Sequence, residues 1–149
     1  MDITATLKTD LAADVLYPVL ADLGTYPEWS GIVSRAVAVP STLDADGHGA
    51  AWSIDLRGQV GPLRRSKRLR MERTESSEGR YVRFDRAEQD GRTHSAWVLT
   101  ADLHAVGAGT ELTMRLHYGG SLWVPMLDRI LRDEIERSRP RLVEFASRR

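Results

Sequence analysis

The C-terminal third of the chain joins one alternating segment to one long amphipathic segment. Thr110–Tyr118 alternates polar and apolar residues with a period of two, which is typical of a β-strand with one buried face. After Gly119 and Gly120, Leu122–Arg149 repeats apolar residues at helical spacing and carries charged residues on its other side. The apolar stripe of such a helix has to be buried, and the chain upstream is rich in strand patterns. We therefore expect a sheet that packs against this C-terminal helix.

Six further segments show the alternation typical of strands, and short turns join the last five strands of the chain. This order is typical of an antiparallel meander. The predicted strands are Asp2–Thr9, Ile32–Val39, Gly49–Arg57, Leu63–Glu75, Arg80–Ala87, His94–Leu103 and Thr110–Tyr118.

Two short helices are predicted between the first two strands. Leu11–Leu23 has apolar residues at helical spacing behind Asp10, which suits an N-cap, although Pro18 removes one backbone hydrogen bond. Thr25–Ser30 predicts a second short helix, with Thr25 as its cap. The chain therefore predicts an α+β fold in which a seven-stranded antiparallel sheet wraps around the long C-terminal helix.

The composition limits the partners and the compartment. Lysine and arginine total 21, and aspartate and glutamate also total 21, so the net charge does not favour nucleic acid as a partner. There is no cysteine, which excludes disulfides and thiolate metal sites. The start of the chain has no signal-peptide pattern, and no apolar run reaches the roughly 18 residues of a membrane span. We expect a soluble cytoplasmic protein with one domain over residues 1–149, without stable membrane insertion, as a monomer or weak homodimer.

Two sequence motifs carry a resemblance to a known superfamily. Val19–Trp29 contains an apolar helix that ends in Asp, a short spacer, and then Tyr26-Pro27-Glu28-Trp29. The start of the last strand, Gly109-Thr110-Glu111-Leu112, is the second motif. With the order of elements, these motifs resemble the START/Bet v 1-like (SRPBCC) superfamily, in its polyketide cyclase/dehydrase branch. The resemblance implies a helix-grip fold with a ligand cavity between sheet and helix. Members of the superfamily bind lipids, hormones or polyketides, and some catalyse aromatisation or cyclisation.

The strongest candidate site is this apolar cavity. Apolar residues on one parity of several strands are expected to face the helix, Trp29 to lie at one mouth, and three helix residues to contact a ligand. The same side chains are also compatible with a filled core. The candidates are Trp29, Trp52, Ile54, Leu56, Leu69, Met71, Trp97, Leu99, Leu112, Met114, Leu116, Tyr118, Leu127, Ile130 and Leu131.

A basic cluster occupies the strand that begins at Leu63. Arg65 and Lys67 share the inward parity of Leu69, so either residue is a candidate to orient a carboxylate or enolate of the ligand, unless this end of the strand extends into solvent. Three further arginines alternate outward and form either a stripe for anionic partners or a solvated face. Zero net charge and the lack of interleaved aromatic residues favour the solvated face. These arginines are Arg64, Arg68 and Arg70.

No catalytic constellation is recognisable. The four histidines lack metal-ligand spacing, so neither a metal nor a cofactor is predicted. His94 is expected on a strand, facing away from the cavity. Tyr26 and Tyr118 are candidates to donate a hydrogen bond to a ligand carbonyl.

Three functions remain open. The first is a binding or carrier protein for a hydrophobic small molecule, such as a lipid or a polyketide-like compound. The second is an aromatase/cyclase-type enzyme that folds a poly-β-ketone by positioning its reacting atoms. The third is a regulatory interaction protein with a vestigial cavity. A buried ionisable group near the cavity centre would favour the enzyme.

Overall fold

A computed structural model describes residues 1–41, 49–60, 63–121 and 124–149, without the side chains of residues 59–60, 63–65 and 124. Two helices and a 3-10 helix accompany seven strands. They are β1 (Asp2–Thr9), α1 (Ala13–Leu20), the 3-10 helix (Leu23–Glu28), β2 (Val33–Val39), β3 (Ala51–Val60), β4 (Leu63–Ser77), β5 (Tyr81–Arg86), β6 (Trp97–Val106), β7 (Gly109–Tyr118) and α2 (Val124–Ser147).

The seven strands form one antiparallel sheet. Their order is β1-β7-β6-β5-β4-β3-β2, so the chain runs as a meander from β2 to β7, and β1 pairs with β7. The predicted fold, a seven-stranded sheet with a C-terminal helix and two short helices after β1, is confirmed. We call the face of the sheet that packs against α2 the inner face.

Two irregularities interrupt the ladders. The register shifts between Val33 and Arg35 in β2, and again between Arg73 and Glu75 in β4. Such bulges bend a strand and increase its twist. Both therefore help the sheet to curve around α2.

Of the two short helices, α1 begins later than the sequence predicts and the 3-10 helix begins earlier, at Leu23. α1 starts at Ala13 and has Ala12 as its N-cap, without a side-chain cap, so the predicted cap at Asp10 is wrong. The 3-10 helix is capped by Asp22, whose Oδ1 accepts from the Gly24 amide at 2.8 Å. Thr25 is not the cap because its buried hydroxyl donates to the Val19 carbonyl at 2.8 Å. That bond connects the two short helices.

Strand limits differ most around β6. This strand begins at Trp97, and His94 precedes it in a segment where its Nε2 lies 2.7 Å from the carboxylate of Asp90. The prediction that His94 lies on a strand is therefore wrong, because its ring pairs with a turn residue instead. Most of the turn predicted at residues 41–49, including His48, lies outside the described residues. The same holds for residues 61–62 of the next predicted turn.

Helix α2 covers the inner face. Leu131, Leu142 and Ala146 are buried along its apolar stripe, and the helix contacts β1, β3 and α1. Pro140 lies inside the helix, as the sequence predicts. Within the described part of the chain, no helix has the length and apolarity needed to cross a membrane.

An aromatic cluster fills the inner face beneath the short helices. Phe84 is fully buried, with the ring of Trp52 at 5.7 Å and that of Tyr26 at 6.3 Å, both in edge-to-face geometry. Trp29 packs on Tyr26, with ring centroids 4.5 Å apart. Such pairs stabilise beyond the area they bury. Of this cluster, Tyr26 and Trp29 also border the space under α2.

Candidate ligand cavity

A cavity of about 140 Å³ lies between the inner face and α2. Its walls come from every strand except β5, from the 3-10 helix and the segment after it, and from α2. The lining residues are Ile3, Ala5, Thr6, Leu7, Leu23, Tyr26, Trp29, Ser30, Ile32, Val33, Ile54, Leu56, Leu69, Met71, Trp97, Leu99, Leu112, Met114, Arg115, Leu116, Leu131, Ile135, Ser138, Arg139 and Leu142.

Strand register brings the apolar rows of β6, β7 and β1 together. Leu99 pairs with Leu116, and Leu116 pairs in turn with Ile3. Met114 pairs with Ala5 of β1 in the next row. Because directly paired residues point to the same face, three separate alternating segments form one continuous apolar wall.

The opposite wall is built by β3 and β4 in the same way. Ile54 pairs with Leu69, and both line the cavity. The next inward pair is Trp52 with Met71, of which only Met71 reaches the wall. The indole of Trp52 instead packs against Phe84.

Tyr26 closes one end of the cavity with a hydroxyl that is already engaged. Its Oη donates to the Leu20 carbonyl at 2.9 Å. Burial, with a smaller contribution from the charge of Asp22, raises the pKa of the Tyr26 phenol far above its ordinary value. Tyr26 therefore stays neutral, and its hydroxyl proton is already donated to the backbone.

Most of the predicted ligand-binding residues lie on the cavity wall. Their role in ligand binding stays a prediction, because lining the cavity is not itself evidence of binding. The predicted residues on the wall are Trp29, Ile54, Leu56, Leu69, Met71, Trp97, Leu99, Leu112, Met114, Leu116 and Leu131.

Four apolar candidates lie outside the wall. Trp52 and Tyr118 are buried, but each ring is held by another aromatic ring, Tyr118 by Trp97 at 4.6 Å. Leu127 is partly buried and packs on the core, and Ile130 lies against Gly58 of β3, where a side chain would crowd its methyl groups. Parity and helical spacing assign a residue to a face, but neighbouring side chains decide whether it reaches the void.

The two basic candidates are not on the described wall. Lys67 pairs with Leu56 and so shares the inward parity, but it is exposed. Partial burial and then the charge of Arg86 lower the pKa of Lys67, while Glu88 opposes them. Arg65 pairs with Gly58 through its backbone, and its side chain lies outside the described residues. This end of β4 thus continues past the apolar part of the inner face.

Sequence reasoning did not place β1 or the second half of α2 at the cavity. Ile3, Ala5 and Leu7 show clean alternation, but only the pairing of β1 with β7 brings them to the wall. Ile135 and Arg139 follow Leu131 at four-residue steps on α2, so helical periodicity carries a signal that extends the predicted helix contacts.

The described wall offers little acid–base chemistry. Aspartate, glutamate, histidine and lysine are absent from its residues, and its ionisable residues are Tyr26, Arg139 and Arg115. The exposed side chain of Arg115 lies on the other face of the sheet from Met114 and Leu116. Arg115 donates from Nη1 to the Asp102 carboxylate at 3.0 Å. The arrangement is suited to burying an apolar molecule, which gains about 25 cal/mol per Å² of apolar area removed from water.

The outward arginines of β4 are paired with carboxylates. Arg68 donates from Nε to Asp55 at 2.7 Å, and Arg70 donates from Nη1 to Glu72 at 2.8 Å. The hydrogen bond and charge of Arg68 hold the pKa of Asp55 below its ordinary value. Arg64, the third member of the predicted stripe, has its side chain outside the described residues. The described part of the stripe is therefore compensated within the sheet.

Comparison with known families agrees with this architecture. The family model described as polyketide cyclase/dehydrase and lipid transport matches residues 1–144. The chain belongs to this family. The resemblance to the START/Bet v 1-like superfamily, in its polyketide cyclase/dehydrase branch, is thereby confirmed. No curated protein matches the sequence of this chain.

Solved structures share the fold of this polyketide cyclase/dehydrase family member at low sequence identity. The TTHA0849 protein of Thermus thermophilus has a TM-score of 0.75 at 16% identity, over 98% of this chain and 97% of that one. A START superfamily protein from Mycobacterium smegmatis has a TM-score of 0.74 at 15% identity, over 99% and 97%. The ZhuI aromatase/cyclase from Streptomyces sp. R1128 has a TM-score of 0.67 at 12% identity, over 100% and 94%. At these identities the likeness shows the fold alone.

Proposed function

We propose that this protein binds one small apolar molecule in the cavity under α2 and acts as its carrier. The observation that carries the proposal is the apolar cavity of about 140 Å³ between the inner face and the helix. A family description that includes lipid transport supports it. Burial of the ligand's apolar surface would supply the affinity.

The volume limits the size of the ligand. An engineered apolar cavity of about 150 Å³ admits a benzene ring, whereas pockets for drug-sized molecules enclose about 300–1,000 Å³. A cavity of about 140 Å³ therefore suits a compact molecule with one ring or a short branched chain. A longer lipid or polyketide would require the wall to open. Met71 and Met114, whose unbranched side chains adapt readily, are the wall residues best suited to move.

The aromatase/cyclase alternative rests on a different kind of support. Aromatase/cyclases occur among the structural neighbours, but their sequence identities to this chain are so low that the likeness supports only a shared fold. With no carboxylate, imidazole or amine on the described wall, such an enzyme would depend on positioning the chain rather than on a general base. The same wall supports binding without further groups, so we place the carrier first.

A titration with ethylbenzene tests the proposal. Isothermal titration calorimetry of the native protein should give saturable binding of one equivalent. Ala5→Phe should weaken that binding at least about tenfold, because the added ring occupies the volume the ligand needs. Saturable binding that is equally tight in Ala5→Phe would contradict the cavity as the site.

The matched control is Ala105→Phe. Ala105 is exposed on β6, so the same substitution there leaves the cavity unchanged. Its affinity for ethylbenzene should equal that of the native protein. Circular dichroism of both variants would verify that the fold is intact before affinities are compared.

A further inference from the structure

Most polar side chains on the cavity wall already have partners within the protein. The Tyr26 hydroxyl donates to the Leu20 carbonyl, and the Ser138 hydroxyl donates to the Glu134 carbonyl at 2.7 Å. Trp29, also on the wall, points its indole N–H at the Thr25 hydroxyl at 3.4 Å. These groups are therefore occupied before any ligand arrives.

Trp97 is the exception with the clearest geometry. It lines the cavity, is 5% exposed, and its ring is held by Tyr118 at a centroid distance of 4.6 Å. Its Nε1 is buried and has no hydrogen-bond partner among the described residues. A buried N–H that has lost water without gaining an acceptor destabilises the protein, and such groups are rare in folded proteins. Its position on a binding cavity gives it a reason to persist.

A second unmet group lies on the same wall. The Nε of Arg139 is also buried and without a partner among the described residues, while Nη2 of the same guanidinium lies 3.2 Å from the Glu136 carboxylate. Both unmet groups on the wall are hydrogen-bond donors. A ligand that satisfies them must bring acceptors.

We propose that the ligand is an apolar molecule bearing a carbonyl-type oxygen, and that the Trp97 indole N–H donates a hydrogen bond to that oxygen. This inference rests on the proposed function, since it specifies the chemistry of the molecule in the same cavity. A ketone, an ester or a carboxylic acid supplies the acceptor, whereas a pure hydrocarbon leaves the N–H unmet. Trp97 would thus favour ligands that carry a hydrogen-bond acceptor, while the rest of the wall favours ligands that are small and apolar.

The test compares acetophenone with ethylbenzene, which differ mainly by a carbonyl in place of a methylene group. We would measure the ratio of the two affinities by calorimetry in the native protein and in Trp97→Phe. The variant keeps an aromatic ring against Tyr118 but lacks the N–H. The preference for acetophenone should fall about tenfold in Trp97→Phe, as expected for loss of one buried hydrogen bond. Using the ratio cancels changes in packing that affect both ligands equally.

Trp52→Phe is the matched control. Trp52 is also a buried tryptophan of the inner face, but it does not reach the cavity wall, so the ratio should stay at the native value. A ratio that falls equally in both variants, or in neither, overturns the assignment to Trp97.

A second readout uses the native protein and does not depend on a variant that folds. The Trp97 indole proton should shift downfield in the NMR spectrum when acetophenone binds, and it should not do so with ethylbenzene. Binding of both ligands without that difference overturns the inference and leaves the proposed function standing. If neither ligand binds, both the inference and the proposed function are overturned.

Discussion

Burial separates the ion pairs of this protein into a few that are shielded from solvent and several on its surface. The Arg70 and Glu72 side chains are only 11% and 6% exposed, and Nη1 lies 2.8 Å from Oε1. Arg70 also donates to the carbonyls of Ala87 and Pro40, so this one guanidinium holds two loops against β4. An arginine held in this way depends on its carboxylate for charge compensation.

Glu72→Ala should lower the free energy of unfolding by about 3 kcal/mol, because it leaves the Arg70 charge buried without its counter-charge. Urea denaturation followed by circular dichroism measures the change. The control is Glu111→Ala, which removes a pair with Lys8 whose side chain is 77% exposed. That change should stay within about 0.5 kcal/mol. Equal losses in the two variants would contradict the role of burial.

At the level of elements, acidic side chains on neighbouring strands compensate the arginines of the sheet's outer face. Asp55 of β3 accepts from Arg68 of β4, and Asp102 of β6 accepts from Arg115 of β7. On β5, Asp85 accepts from Arg83 at 2.9 Å and also from Thr74 of β4. The basic appearance of β4 in the sequence is thus largely balanced across strands. This arrangement gives the interaction-protein alternative little free charge on the described part of the strand.

The carboxylates of this face predict a loss of stability in acid. Burial raises the pKa of Asp85, but hydrogen bonds from Arg83 and Thr74 and the charge of Arg83 outweigh it, so the pKa lies below its ordinary value. A depressed pKa in the folded state contributes stability above the unfolded-state pKa of about 3.9, and that contribution is lost as the pH falls through the folded-state pKa.

Asp85→Asn should therefore flatten the pH dependence of the unfolding free energy below about pH 4, since the substituted amide does not titrate. Chemical denaturation at several pH values between neutral and acid would measure it. Asp133→Asn changes an exposed residue of α2 and should retain the native acid profile. If Asp85→Asn and the native protein lose stability in parallel as the pH falls, the paired state of Asp85 does not contribute as the geometry indicates.

At the level of the whole molecule, the inner face and α2 border a cavity that is small compared with pockets for drug-sized molecules. A cavity of about 140 Å³ admits one ring, so larger ligands must displace wall side chains or move α2. The energy of that displacement opposes the gain from burying more apolar surface. The size of the ligand that binds most tightly therefore indicates how rigidly α2 is held over the inner face.

Affinity along the series ethylbenzene, 2-ethylnaphthalene and 2-ethylanthracene tests this point. We expect no gain at the second ring and weaker binding at the third, because the wall must open to admit them. If the wall opened freely, each added ring would strengthen binding by about 25 cal/mol per Å² of buried apolar area. A steady rise, measured by calorimetry, would contradict a rigid cavity and would favour the polyketide-sized ligand of the cyclase alternative.

The sequence by itself determined the order of elements and the inward faces of β3, β6 and β7. Strand alternation has a period of two wherever the strand lies, so residues such as Ile54, Leu99 and Leu116 are assigned to a face by local pattern alone. The aromatic motif Tyr26-Pro27-Glu28-Trp29, with the element order, supported the fold in the same local way. Local pattern misled at Asp10, because the helix has Ala12 as its N-cap, and at His94, whose ring pairs with Asp90 in the turn before β6.

Only the tertiary structure decided which inward residues meet open space. Trp52 and Tyr118 have the right parity, but Phe84 and Trp97 cover their rings, while β1 reaches the wall because it pairs with β7 at the far end of the chain. Likewise, the Trp97 N–H has no partner among the described residues because none of those packed around it offers an acceptor. Face is set by dihedral angles within a segment, whereas voids and unmet polar groups are set by contacts between segments remote in sequence. That difference is why the fold was readable from the chain and the chemistry of the cavity was not.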